Sequence, residues 1–70
     1  MQKFELGGID VIFREGVKQP ERWFPEDDDK RPFVVVSPKI RVSRLKALVL
    51  SVIDRHRELS EFRAQLKAAA

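Results

Sequence analysis

Residues 43–67 read SRLKALVLSVIDRHRELSEFRAQLK, and this stretch decides the fold. From Leu45 onward, apolar side chains recur every three or four positions, which is the spacing of one face of an α-helix. The polar side chains of Asp54 and Glu58 fall on the opposite face. The pattern therefore predicts one long amphipathic helix over residues 43–67.

The start and the continuity of this helix rest on two serines. Ser43 suits the cap position, because its hydroxyl can accept a hydrogen bond from a free backbone amide of the first turn. An earlier start at Pro38 would place Arg41 in the middle of the apolar stripe, so we expect the helix to begin at Ser43. Ser60 leaves one alternative open, since it could cap a second, short helix after a bend at Leu59.

A β-hairpin is predicted over residues 3–14. Apolar and polar residues alternate on both sides of Gly7-Gly8, and two glycines supply the positive φ angles of a tight hairpin turn. In this register Glu5 lies opposite Asp10, which is a small electrostatic penalty. The register also gathers the apolar side chains on one face: Phe4, Leu6, Ile9, Val11 and Phe13.

Residues 33–42 form the predicted strand region. Phe33-Val34-Val35-Val36 is rich in β-branched residues and does not alternate, which indicates burial on both faces of a sheet or a place in an interface. Ser37-Pro38-Lys39 is predicted to be a turn. Residues 40–42 alternate in polarity and could form one more short strand.

The segment 15–32 is predicted to be a long loop, with three prolines and most of the acidic charge. Pro20 suits the first position of a helical turn that would run through Trp23 and end at Pro25. Together these elements predict a single small α+β domain over residues 1–70. In that domain the hairpin and one or two further strands form a small antiparallel sheet, and the long helix packs on it.

Composition restricts the ways in which so short a chain can be stabilised. The 70 residues include no cysteine and one histidine, which excludes disulfides and the common zinc sites. A core of this size supplies only a few kcal/mol, about 3–5, so a partner subunit is the remaining stabiliser. The sequence has no signal-peptide pattern and no apolar run long enough for a membrane span, and we expect a cytoplasmic protein that does not bind membranes.

Charge is distributed unevenly along the chain. Residues 1–37 carry six basic and eight acidic side chains, whereas residues 38–70 carry eight basic and three acidic ones. Phosphate groups could be bound where the strand region meets the helix, by side chains together with free backbone amides. The basic cluster predicted there consists of Lys39, Arg41, Arg44 and Lys46, with Lys30 and Arg31 possible neighbours.

Signals of catalysis or cofactor binding are weak. His56 has Ser60 one helical turn away, but neither a glycine-rich elbow nor an oxyanion-hole pattern accompanies the pair. The acidic run at residues 26–29 lacks the spaced ligands of a calcium loop and is interpreted as a solvated loop, or as a cover for the basic helix. We therefore expect no enzyme activity, no cofactor, no metal and no small-molecule substrate.

The predicted helix is too long for the predicted sheet. Twenty-five helical residues span about 37 Å, whereas a four-residue strand spans about 13 Å. The distal end of the helix must be covered by the Trp23-Phe24 loop or by another molecule. Our hypothesis is a protein-interaction module (a regulator, inhibitor or assembly subunit) that binds a partner protein or a second copy through Trp23, Phe24, Leu59, Phe62 and Leu66. The alternative is a nucleic-acid-binding protein that uses the basic cluster.

Overall fold

A computed structural model describes residues 2–27 and 29–69, so Asp28 of the acidic run lies outside the described residues, as do both chain ends. Four strands precede one helix, and the α+β class predicted from the sequence is confirmed. The elements are β1 (Gln2–Leu6), β2 (Ile9–Phe13), β3 (Glu21–Trp23), β4 (Phe33–Val36) and α1 (Val42–Ala69).

The hairpin of β1 and β2 has the predicted register, in which Phe4 pairs with Val11. Gly7 and Gly8 have φ angles of 62° and 85°, and side chains other than glycine rarely adopt this left-handed conformation. The amide nitrogen of Gly8 also donates a hydrogen bond to Glu5 Oε1 at 2.9 Å. The turn residues and this hydrogen bond together hold the strand register.

The sheet is mixed, whereas an antiparallel sheet was predicted. Its strand order is β1-β2-β4-β3, with β4 parallel to β2 and antiparallel to β3. The connection after β2 passes the end of β4, where the amide of Arg14 donates to the carbonyl oxygen of Val36 at 2.9 Å. This crossing carries the chain to the far side of β4, and β4 then returns between β2 and β3.

The predicted helical turn over residues 20–23 is wrong, because this segment forms the edge strand β3. Trp23 pairs with Phe33, and Arg22 pairs with Val34. A single isolated helical turn fixes many torsion angles for few hydrogen bonds. Pairing with β4 satisfies the backbone groups of β3 that face β4 and those of β4 that β2 does not reach. This tertiary gain overrides the local signal of Pro20.

The predicted turn after β4 is confirmed, but no strand follows it. Within the turn, the amide of Ile40 donates to the carbonyl oxygen of Ser37 at 3.1 Å. The first helical hydrogen bond runs from the amide of Leu45 to the carbonyl oxygen of Arg41, at 2.9 Å. The helix therefore begins at Val42, one residue before the predicted start, and Ser43 lies inside the first turn rather than at the cap.

Helix α1 continues to Ala69 without a break. Ser60 therefore does not begin a second helix, because α1 runs through Leu59 and Ser60 as one element. The predicted end at Lys67 falls two residues short of the observed end. One helix thus accounts for the entire C-terminal part of the described chain.

The core lies between the sheet and the first half of α1. We call the sheet face that packs on α1 the covered face and the other the open face. Val34 points to the covered face, so its neighbour Val35 points to the open face. Val35 is buried nevertheless. The predicted burial of β4 on both faces is confirmed. The core cluster consists of Ile9, Val11, Val34, Val36, Leu45, Val49 and Val52.

The molecule is elongated because α1 extends past the sheet. No helical residue beyond Val52 is fully buried among those described, and the longest dimension is 45 Å. The radius of gyration is 13.5 Å, compared with about 11 Å for a compact domain of this length. The accessible surface is 5534 Å², whereas a compact monomer of this mass exposes about 4500 Å². The fold therefore leaves surplus surface.

Substitution of the two turn glycines tests how tightly the hairpin packs on the helix. Both Gly7→Ala and Gly8→Ala place a side chain at positive φ and should destabilise the protein by about 1–2 kcal/mol. A Cβ atom at Gly7 would also lie 3.0 Å from Ile53 Cδ1, whereas a Cβ at Gly8 has no atom within 4 Å. Urea unfolding should therefore show a larger loss for Gly7→Ala, and a larger loss for Gly8→Ala would contradict this packing.

Candidate interaction surfaces

The distal part of α1 carries an exposed apolar flank. We call this the distal flank and define it as Leu59, Phe62 and Leu66, which are spaced by three and four residues and so lie on one side of the helix. Leu59 is half-buried, whereas Phe62 and Leu66 are 58% and 56% exposed. Three of the five predicted interface residues therefore share one surface, and two of these are open to solvent.

The loop after β3 covers a neighbouring side of the same helical segment. Arg63 donates a hydrogen bond from its guanidinium Nη2 to the carbonyl oxygen of Pro25 at 2.7 Å. Phe24 is half-buried and packs against the core cluster. Loop and helix bound a groove lined by Glu26, Asp27, Asp29, Arg63, Leu66 and Lys67. The loop is thus a partial cover, as the sequence suggested, and it leaves Phe62 and Leu66 exposed.

Trp23 belongs to a different surface from the other predicted interface residues. Its ring stacks on that of Phe33, with centroids 5.8 Å apart and an interplanar angle of 14°. Since Val34 points to the core, its neighbour Phe33 points to the open face, and Trp23 lies there with it. Trp23 is the last residue of β3 and Phe24 follows it, and their side chains pack on opposite faces of the sheet. The predicted pair therefore does not act as one anchor.

The basic cluster is only partly assembled. Lys39, Arg41 and Arg44 surround the N-terminus of α1, and Lys18 joins them from the connection between β2 and β3. The first turn of α1 contains no acidic residue. Lys46 faces another groove, beside Leu6 and Leu50, because it lies on the flank of α1 that faces β1. Sequence reasoning missed Lys18, since nothing in the sequence reveals that its loop returns to the helix start.

A second apolar surface, which sequence analysis did not identify, lies between β1 and α1. Here the helix leaves the covered face of β1 open, and Phe4, Leu6 and Leu50 are exposed. The ring of Phe4 stacks on that of Phe13 with centroids 5.5 Å apart. The resulting groove of 280 Å³ is lined by Leu6, Gly7, Lys46, Val49, Leu50 and Ile53. The only sequence signal for it was the position of Leu50 beside the main apolar stripe.

Arg31 resolves the predicted repulsion between Glu5 and Asp10. Its guanidinium nitrogens lie 3.8 Å from Glu5 Oε1 and 3.3 Å from Asp10 Oδ1. Lys3 Nζ lies 4.0 Å from the other carboxylate oxygen of Asp10. These contacts place Arg31 near the turn of the hairpin, at the opposite end of the sheet from the N-terminus of α1. Arg31 therefore does not neighbour the basic cluster.

The described residues show no assembled site for metal chemistry. Across residues 2–27 and 29–69, no three His, Asp or Glu side chains come close enough to hold a metal ion. His56 is half-buried, and its Nδ1 atom has no hydrogen-bond partner in the described part of the chain. None of the helical residues described forms a segment long and apolar enough to cross a membrane.

The chain was compared with protein-family models, curated proteins and solved structures. No protein-family model, curated protein or solved structure matches this chain.

Removing Arg31 tests the charge arrangement on the open face. Arg31→Ala leaves two carboxylates opposite each other and should lower the free energy of unfolding by about 1 kcal/mol. The Arg31 and Glu5 side chains are about half exposed, which limits the loss, whereas the Asp10 side chain is only 16% exposed and contributes most of it. Adding Asp10→Asn to this variant should restore most of the loss. Denaturation at low and high salt measures the effect, which salt should weaken. Equal stability of Arg31→Ala and the native chain at low salt would refute this role.

Proposed function

We propose that the chain is a small, non-catalytic protein-interaction module, acting as a regulator, inhibitor or assembly subunit. Its distal flank binds an amphipathic helix of a partner protein. The observation that supports this most directly is that Phe62 and Leu66 are each more than half exposed. They lie on a helix that continues well past the part packed on the sheet. An exposed aromatic beside an exposed leucine is typical of a contact surface.

Burial of the distal flank has a clear energetic benefit. Full burial of a phenylalanine or leucine side chain stabilises by about 1.5–3 kcal/mol, so covering the exposed half of each contributes about 1 kcal/mol. The helix is already ordered before binding, because α1 is continuous through this region. A preformed helix loses little conformational entropy when a partner packs against it.

The charges around the distal flank indicate the chemistry of the partner. The groove beside Leu66 is bordered by Glu26, Asp27 and Asp29 on the loop side. On the helix side it is bordered by Lys67 and by Arg63, whose guanidinium donates a hydrogen bond to the carbonyl oxygen of Pro25. A matching helix would carry an apolar stripe with lysine or arginine along one border, where it meets these carboxylates. Its axis would lie about 8–10 Å from that of α1.

Substitutions on the distal flank test this function. Phe62→Asp and Leu66→Asp each place a charge in the contact and should weaken partner binding at least about tenfold. Ala64→Asp is the matched control, since it adds the same charge at an exposed position on the other side of α1. The measurement is quantitative affinity capture from a lysate of the source organism, followed by titration of the captured protein in purified form.

Circular dichroism should show that all three variants keep the native helix content, because none of the positions is buried. A protein that is retained by the control and lost with both flank variants is the expected result. Identical capture by all baits would contradict a role for the distal flank. Loss with the control alone would place the contact on the opposite side of the helix.

A second candidate function is binding to the phosphate backbone of a nucleic acid. One observation favours it: Lys18, Lys39, Arg41 and Arg44 converge on the N-terminus of α1, and its first turn has no carboxylate. Free backbone amides and the helix dipole favour anions at such an end. The four cations match a short stretch of backbone, and they carry no information about base sequence.

Salt dependence tests the second candidate. With four phosphate contacts, affinity for a labelled DNA or RNA duplex should fall roughly 150-fold between 50 and 200 mM salt. Replacing Arg41 and Arg44 with alanine should roughly halve the slope of log affinity against log salt. The control replaces Arg55 and Arg57, which removes the same charge from an exposed helix face where both pair with acids. Equal effects of both double variants in fluorescence anisotropy would reject a specific site.

A further inference from the structure

The two edges of the sheet differ in their capacity to accept another strand. At one edge β3 has only three residues, and Pro20 and Pro25 lie close to its two ends. Short length and proline are devices that protect an edge from pairing. At the other edge β1 has five residues, contains no proline and pairs with β2 in an unbroken register. The open edge of this sheet is therefore β1.

The hairpin geometry identifies which backbone groups of β1 point outward. A two-residue loop makes the flanking pair, Leu6 and Ile9, a hydrogen-bonded pair, and such pairs alternate along the ladder. Phe4 consequently directs its amide and carbonyl groups toward β2. Lys3 and Glu5 direct theirs away from the sheet, where a further strand can bind them.

The sequence of β1 is complementary to itself in one antiparallel register. Outward groups must face outward groups, so a second β1 can pair with Lys3 opposite Lys3, Glu5 opposite Glu5, or Lys3 opposite Glu5. The first two registers place like charges together, which is unfavourable. The third places opposite charges together twice, pairs the full length of the strand, and puts a two-fold axis at Phe4.

We propose that the chain forms a two-fold symmetric homodimer through β1 in this third register, giving a continuous eight-stranded sheet. Four backbone hydrogen bonds join Lys3 and Glu5 of one copy to Glu5 and Lys3 of the other. The contact uses the same patch on both copies, which is the form of a closed dimer. It does not involve the distal flank, so it is independent of the function proposed above.

The side chains on the covered face support the same occupant. Phe4 is at the closely spaced, non-hydrogen-bonded position, so the two Phe4 rings meet across the axis and extend the existing stacks on Phe13. The apolar groove beside Leu50 is lined in part by Leu6 and Gly7, at the end of this edge strand. In this register the exposed Leu6 of each copy lies diagonally across from the exposed Phe4 of the other.

The chain as a whole exposes more surface than a compact monomer needs. The chain exposes 5534 Å², which is about 1000 Å² more than a compact monomer of its mass. A partner in a standard protein interface contributes about 800 Å². The surplus is spread over the molecule, and the exposed Phe4 and Leu6 of β1 hold one part of it while Phe62 and Leu66 of α1 hold another.

Exchange of the two charges in β1 tests the dimer and its register together. In analytical ultracentrifugation at micromolar concentration, the full chain should have twice the mass of the 8.1 kDa monomer. Lys3→Glu alone and Glu5→Lys alone each create two like-charge pairs and should raise the dimer Kd at least about tenfold. An equimolar mixture of these two variants restores opposite charges and should form a heterodimer. The variant carrying both exchanges should form a homodimer again.

Hydrogen exchange provides a readout that does not depend on charge. The amides of Lys3 and Glu5 should be protected above the dimer Kd and exchange at least about tenfold faster in the monomer. The amide of Phe4 should remain protected in both, because it bonds to β2. Phe62→Asp should leave the dimer mass unchanged.

Two results would overturn the proposal. One is a native chain that stays monomeric at millimolar concentration. The other is a dimer whose affinity is unchanged by the single exchanges, or is not recovered in the mixture, because either outcome places the contact elsewhere. A single variant that fails to fold does not hide these results, since the variant with both exchanges keeps the net charge of β1 and tests the same register.

Discussion

Four consecutive apolar side chains in β4 require a position in the middle of the sheet, and the rest of the structure is arranged around that requirement. A strand buried on both faces must also have both of its edges paired, because an unpaired buried backbone group is costly. β2 supplies one edge and β3 the other. The long connection from β2 therefore passes the end of β4 before β3 begins, and the chain returns to place β4 between them.

This arrangement produces a sheet that is shorter than its helix. The sheet packs on α1 only as far as Val52, near the turn of the hairpin, and the remaining helix depends on the Phe24 loop for cover. The loop covers one side, and the distal flank stays exposed. The same mismatch leaves β1 beyond the width that a single helix can cover. Both candidate protein-binding surfaces thus arise from one small sheet paired with one long helix.

The candidate sites show how far sequence reasoning reached. The exposed positions of Phe62 and Leu66 followed from helical periodicity and from a comparison of lengths, which are local properties. The mixed sheet, the strand at Trp23 and the arrival of Lys18 at the helix start depend on which segments pair across the chain. Which strands pair depends on how much apolar surface the whole arrangement buries, and no local sequence pattern specifies this. The bridging role of Arg31 was missed for the same reason.

By itself, the sequence determined the α+β class, the hairpin register and the helical character of the C-terminal segment, whereas the structure decided that this helix is unbroken at Ser60. Glycine conformations, alternation and helical period are encoded within a few neighbouring residues, and each of these features is decided at that range. Only the tertiary structure decided that β4 lies parallel to β2, that Trp23 and Phe24 belong to opposite faces, and that Lys46 is separated from Arg41 and Arg44. These outcomes depend on contacts between segments that are distant in the sequence, and such contacts form only when the whole core is assembled.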